Sequence, residues 1–188
     1  MPGKRQSDPV PGEAECLAML DETGVGADLR VHILKVTDVA VRLARALQAR
    51  GVSLDLDLVR AGALLHDVAK GKPDHEAEGA RRVRERGWIR TAVIVAQHAD
   101  LPWDEGSMLD EAAVVYYADR LVGGPELLGV EERFRRQRAK YGNDAVKIRR
   151  VDAKEKHARF IESIFARALG ADPMDIVKES YSKEISTS

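Results

Sequence analysis

The sequence predicts an all-α fold, a single-domain helical bundle, and three observations carry that expectation. Ile33, Val36, Ala40, Leu43 and Leu47 are separated by steps of 3, 4, 3 and 4 residues, which puts them on one face of a helix. Periodic segments of this kind stop repeatedly at glycine: Gly51, Gly71 with Pro73 beyond it, Gly87 and Gly170. The two segments richest in β-branched residues, "TAVIVAQH" and "AAVVYYADRL", have no hairpin turn beside them and are flanked by alanine.

Residues 1–12 are rich in proline, glycine and charge and are expected to form a flexible N-terminus. A short helix is expected over 13–22. Asp28 reads as the N-cap of a long helix that ends before Gly51. The next helix opens near Asp55 or Asp57, carries Leu58, Ala61, Leu65 and Val68, and runs to Gly71. "DHEAEGARRVRER" reads as a polar helix with Ala77, Ala80 and Val83 inside. "TAVIVAQH" and "AAVVYYADRL" are assigned as helices despite their strand-like composition, and "PWDEGS" (102–107) between them as a loop. After a break at Gly123, Gly124 and Pro125, a long amphipathic helix spans about Asn143 to Leu169, with Ile148, Val151, Phe160, Ile161, Ile164 and Phe165. Residues 13–170 thus form one helical domain and 171–188 a C-terminal tail, whose end "SYSKEISTS" is expected to be loose.

Composition narrows the function classes. Hydrophobic residues make up 44% and charged residues 32% of 188 residues, and aromatics only 5%, so the core must be built mainly from Leu, Val, Ile and Ala. The formal net charge of −1 gives no global drive towards nucleic acid or membrane, and neither is expected as a partner. No run approaches the length of a transmembrane helix, and the N-terminus lacks the apolar core of a secretory signal. The single cysteine, Cys16, excludes an internal disulfide framework and a multi-cysteine zinc site, and fits a cytoplasmic setting.

The residues able to carry chemistry are His32, His66, Asp67, His75, His98 and Asp119. His32, His66 and Asp119 each stand at the rim of a core-facing stripe, where a carboxylate needs a cation or several hydrogen bonds to offset its desolvation. Imidazoles with carboxylates at several helix ends suit a divalent ion of intermediate hardness: iron, manganese, cobalt, nickel or zinc. Taken singly, each residue also has an ordinary role. A histidine at a core edge is commonly just hydrogen-bonded, Asp119 can pair with Arg120, His75 can cap its helix, and His98 can end one. His157 reads as structural or exposed. The dense basic stretch "RFRRQRAKYG" with "KIRR" after it reads as a solvated helix face or as a site for a polyanion.

Taken in order, His32 in "VHILKVTDVAVRLARAL", His66 and Asp67 in "LLHDVAK", and Asp119 in "YYADRL" resemble the HD superfamily of metal-dependent phosphohydrolases, whose pattern is H…HD…D. The resemblance covers about residues 30–122, and Lys70 makes "HDVAK" similar to the HDxxK form of the HDIG-type subgroup. It implies a helical bundle of the HD-domain type with a ligand-bearing core at 30–122 and a C-terminal helical extension. It implies His32, His66, Asp67 and Asp119 as ligands of a divalent metal. Some subgroups hold two ions, which makes His75 and His98 candidates for a second; where several of them place two adjacent histidines, this chain reads Gln97–His98. No GYP signature follows Asp119, which disfavours a cyclic dinucleotide substrate.

The implied activity is hydrolysis of a phosphate ester or anhydride, on a small phosphorylated molecule such as a nucleotide or dinucleotide, by a metal-bound hydroxide. Asp67 and Lys70 are the expected catalytic residues, and Lys70, Arg81 and Arg120 the expected phosphate contacts. Two other classes stay open: a non-catalytic HD module that binds a nucleotide or a metal, and a helical protein that binds a partner through its basic segment 133–150.

Overall fold

The computed structural model describes residues 8–104 and 106–186. Residues 1–7 of the expected flexible N-terminus, Glu105 of the expected loop, and the last two residues of the expected loose tail lie outside the described residues. Among the described residues the elements are helices and one small hairpin. In order they are α1 (Glu13–Glu22), α2 (Ala27–Gln48), α3 (Leu56–Leu65), α4 (His75–Glu85), α5 (Ile89–Gln97), α6 (Glu111–Leu121), β1 (Val122–Gly123), β2 (Glu126–Leu127), α7 (Val130–Ala139), α8 (Ala145–Leu169) and α9 (Pro173–Ser186).

The 3–4 spacing of the sequence is the buried face of α2, where Ile33, Val36, Ala40, Leu43 and Leu47 are all fully buried. This helix starts at Ala27 with Gly26 as its N-cap, so Asp28 sits in the first turn, where its charge complements the helix dipole, and not at the cap. Asp55 does cap α3, its side chain accepting from the Leu58 amide. The segment "AAVVYYADRL" is buried on every side from Ala112 to Leu121, which is why its composition looks like a strand: α6 is the central helix, against α2, α3, α5 and α8. β1 and β2 pair antiparallel right after it, in register Val122 to Leu127. Tyr117 of α6 and Phe165 of α8 stack with ring centroids 4.5 Å apart.

Several expectations need correction. α3 ends at Leu65, six residues before Gly71, and the chain runs on through tighter three-residue turns, with Val68, Lys70 and Lys72 amides donating to the Leu65, Asp67 and Ala69 carbonyls. On α4 the inward face is Gly79, Ala80 and Val83, and Ala77 is exposed. Gly79 fits there because a Cβ would stand 3.1 Å from the Val95 side chain of α5. On α8, Phe160 is 49% exposed, and Val151, Ala158, Ile161, Phe165 and Leu169 are buried instead. The basic segment is two helices, α7 and α8, joined by a turn at 140–144.

The termini are also more ordered than their composition suggests. Pro11 is buried and Val10 packs on the core, so residues 8–12 are not free. α9 runs from Pro173 to Ser186, so residues 180–186 of the end expected to be loose are helical. α9 is held by the fully buried Val177, and by Tyr181, whose hydroxyl bonds Asp38 and accepts from Lys35 Nζ at 2.7 Å. No helix among the described residues is long and apolar enough to cross a membrane.

Candidate metal centre

Five elements bring the polar residues together: α2 gives His32, the turn after α3 gives His66, Asp67 and Lys70, the start of α4 gives His75, the end of α5 gives His98, and α6 gives Asp119. His66 and His98 are set by the same device. Each follows directly on the last residue of its helix, and each Nδ1 lies 2.7 Å from the carbonyl three residues back, Ala63 and Val95. A ring that donates from Nδ1 presents the lone pair of Nε2. The His66 side chain thereby occupies a carbonyl of the last helical turn, and the backbone turns away there into the segment that carries Asp67.

The donor atoms form two groups with one member in common. One ligand atom each from His32, His66 and Asp67 lie within 4.8 Å of one another, and so do those of Asp67, His75 and His98. Asp67 Oδ2 is 3.6 Å from His66 Nε2, while Oδ1 is 3.2 Å from His98 Nε2 and 3.5 Å from His75 Nε2. Asp119 adjoins the first group, with Oδ1 3.2 Å from His32 Nε2 and 3.9 Å from His66 Nε2. Ligands about 2.0–2.2 Å from a shared ion are separated by at most about 4.4 Å, so these pairs stand within reach of common ions. The ring centroids of His32, His66, His98 and His75 follow one another at 5.6, 5.2 and 5.5 Å.

Electrostatics agree with a site built for a cation. Burial lowers the pKa of His66 to about 4, against the pull of Asp67 and Asp119, so this imidazole is neutral at pH 7. Burial pushes Asp67 and Asp119 up, yet the first is held well below the usual carboxylate range by hydrogen bonds from His75 and His98, and the second by the charge of Arg120 and a bond from His32. The decisive observation is an orphan: His66 Nε2 is fully buried and has no hydrogen-bond partner among the described residues. A buried lone pair among carboxylates fits a metal and is costly without a partner. The Cys16 thiol is pushed up to about 12 by burial and forms no part of the site.

The expected phosphate contacts divide. Lys70 lines the mouth of the site, its Nζ 3.1 Å from Asp67 Oδ1. Arg120 is buried and already committed: it bonds Asp119 and donates to the Ala99 carbonyl at 2.9 Å, with its guanidinium over the Tyr116 ring at 4.5 Å. It orients Asp119. Arg81 is not brought to the site, because on the exposed face of α4 it is clamped by Glu78 and Glu85. His157 stands edge-on to Tyr116 with ring centroids 5.5 Å apart, a packing role.

The cluster opens into a cleft of about 140 Å³. That is room for one phosphoryl group or, at about 30 Å³ each, a few waters. Lys70, His75, Glu76 and His98 line it together with Arg133, Gln137 and Lys154. The last three lie within the basic region that the sequence marks as dense, but nothing in a linear run of cations tells which ones face inward.

The HD domain family profile matches residues 30–123. An uncharacterized protein of Methanocaldococcus jannaschii is 26% identical over 137 residues, 64% of this chain and 81% of its own length. Two proteins named tRNA (cytidine(56)-2'-O)-methyltransferase are also similar. The one from Thermoplasma volcanium is 30% identical over 140 residues, 65% of this chain and 40% of its own length. The one from Picrophilus torridus is 28% identical over 140 residues, again 65% and 40%. The chain thus spans only 40% of the length of these two methyltransferases. No solved structure matches the chain.

Proposed function

The chain belongs to the HD-domain family, and from that premise we propose that it is a metal-dependent phosphohydrolase that cleaves a phosphate ester or anhydride of a small molecule such as a nucleotide. The observation that carries this reading is Asp67, a buried carboxylate shared by two groups of ligand atoms. His32, His66, Asp67 and Asp119 would hold one divalent ion, and His75, His98 and Asp67 a second. A divalent cation supplies two things in such a site: it acidifies a water and it takes up charge at phosphorus.

The chain's own groups prepare the rest. His66 needs no deprotonation at pH 7 to offer its lone pair, because burial has already made it neutral. Asp67 presents one oxygen towards His66 and the other towards His75 and His98, so it would serve both ions. Arg120 fixes Asp119 and holds its negative charge inside the protein. Lys70 is half exposed beside Asp67, so its ammonium can turn from the carboxylate to a phosphate oxygen and neutralise charge there. A cleft this polar and small suits a phosphoryl group with the remainder of the molecule outside.

A second reading has one observation in its favour: the same region occurs within two proteins named for tRNA methylation. On that reading the domain binds metal and ligand without turnover. Metal content separates the two-ion arrangement from a simpler one. Protein stripped with chelator and re-equilibrated with Mn²⁺ is expected to bind two ions per chain. His98→Ala should lose one of them and His66→Ala the other. Wild-type protein that binds none would end the metal reading.

A further inference from the structure

The basic residues of α7 and α8 divide into two classes that the sequence does not distinguish. Arg135 and Arg136 are held by Glu132, Arg138 by Asp152 and Glu155, and Arg159 by Glu155 and Glu131. Arg133 makes no ion pair among the described residues, and its Nε is buried without a hydrogen-bond partner. Lys154 makes none either, and both line the cleft that holds the ligand cluster. A guanidinium with a buried, unpaired Nε beside an open cleft is a costly arrangement unless an anion completes it.

The helix periods explain how this happens. Val130 and Phe134 point α7 into the core, which turns Arg133 and Gln137, four residues apart, towards the cleft. On α8, Lys147, Arg150 and Lys154 follow at 3 and 4 residues and form one row. A second recess of about 260 Å³ continues from the first, sharing Gln137 and Lys154 and adding Tyr141, Lys147 and Arg150, with no acidic residue in its wall. Lys147 lies 5.6 Å from the centre of the Tyr141 ring. Both helices lie beyond the segment 30–123 that the family profile matches.

We propose that Arg133 and Lys154 bind a second phosphate group of the substrate, so that the protein acts on a molecule bearing at least two phosphates, one at the His–Asp cluster and one at this wall. The proposal rests on the phosphohydrolase reading for the cluster itself. Gln137 donates to the same group from the side, and the recess at Tyr141 and Arg150 receives the rest of the molecule.

The test is equilibrium binding to the full-length protein loaded with Mn²⁺, which supplies the charge that holds the first phosphate beside the carboxylates, with a phosphonate analogue standing in for any probe that is hydrolysed. The probes are adenosine 5'-monophosphate, adenosine 5'-diphosphate and adenosine 3',5'-bisphosphate. Wild type should prefer at least one of the two-phosphate ligands over the monophosphate by about 10- to 100-fold, the range of one or two charge-assisted hydrogen bonds. Which of them is preferred tells whether the phosphates are adjacent or on separate carbons. Arg133→Ala and Lys154→Ala should each remove most of that preference and leave monophosphate binding nearly unchanged, and Arg133→Lys should keep part of it. Arg135→Ala, which removes a cation already paired with Glu132, should change nothing. Equal binding of all three ligands by wild type, or equal loss for all three in Arg133→Ala, overturns the proposal. Kinetics with Mn²⁺ then separate the two layers. Preference without turnover refutes the phosphohydrolase reading and leaves the second-phosphate site standing, while turnover without preference does the reverse.

Discussion

Asp67 keeps its charge at a position only 2% exposed because three cationic or hydrogen-bonding neighbours, Lys70, His75 and His98, converge on it. His66 solves the opposite problem by giving its charge up. Its pKa is about 4 in the folded protein and about 6.5 in an unfolded chain. Between those values the unfolded chain binds more protons, so stability rises with pH. The metal-free protein should therefore hold the full contribution of His66 above about pH 6.5 and lose it as pH falls towards 4, on the order of 3 kcal/mol in all. Urea midpoints at pH 7 and pH 5 in chelator measure this, and His66→Gln should show a shallower fall than wild type. At this scale the sequence was informative about the candidate ligands and silent about which cations are unpaired. His32, His66, Asp67 and Asp119 could be picked out as a set because their order in the chain resembles the H…HD…D pattern, although each alone has an ordinary role. Arg133 could not, because whether a cation is paired depends on which carboxylates its helix neighbours supply. Arg81 was misjudged for the same reason.

The elements that aim these residues are short, and their ends matter more than their middles. α3 and α5 both stop at a histidine that bonds the carbonyl three residues back, and the spacing between the two helices sets the distance from His66 to His98. Gly62 lets them approach: a Cβ there would meet the Ile94 side chain at 2.6 Å. Gly62→Ala should cost about 1–3 kcal/mol through overpacking. It should also weaken metal binding, since it moves the two ligand-bearing helices apart. Ile94→Ala removes both the Cγ2 and the Cδ1 that the new methyl would meet, so its cost in denaturant midpoint should be less than additive with that of Gly62→Ala, and metal titration should recover in part; additive costs would place the strain elsewhere. Helix existence was legible from periodicity, even for "AAVVYYADRL", but the end of α3 was not. Gly71 is an obvious stop signal, whereas the true stop comes from a side chain, His66, competing for a backbone carbonyl.

Across the whole molecule, one apolar cluster joins α2, α6 and α8 and continues to Val177 of α9, while a second joins α1, α3, α4 and α5. The candidate ligands come from the helices of both clusters or from the turns that follow them. Phe165 belongs to the first cluster and stacks on Tyr117, away from the cleft. Phe165→Ala should cost about 3–5 kcal/mol of stability while leaving the number of bound ions unchanged below the lowered melting point. A folded variant that loses its metal would contradict this separation of core from site. The bundle itself could be read from the sequence; the docking of α9 could not, because Val177 and Tyr181 are single contacts in an otherwise polar segment.

If the carboxylate of Asp67 serves a metal-dependent phosphohydrolase, its loss must abolish phosphate release. Phosphate release from a panel of mono- and diphosphorylated nucleotides tests it most directly. The comparison is between chelator-stripped protein and the same protein resupplied with Mn²⁺, in wild type and Asp67→Asn. Release is expected only with metal, and a loss of about 100-fold or more in Asp67→Asn, the scale of removing one preorganised electrostatic element. Metal-bound wild-type protein that releases no phosphate from any member of the panel, or an Asp67→Asn variant as active as wild type, would contradict it.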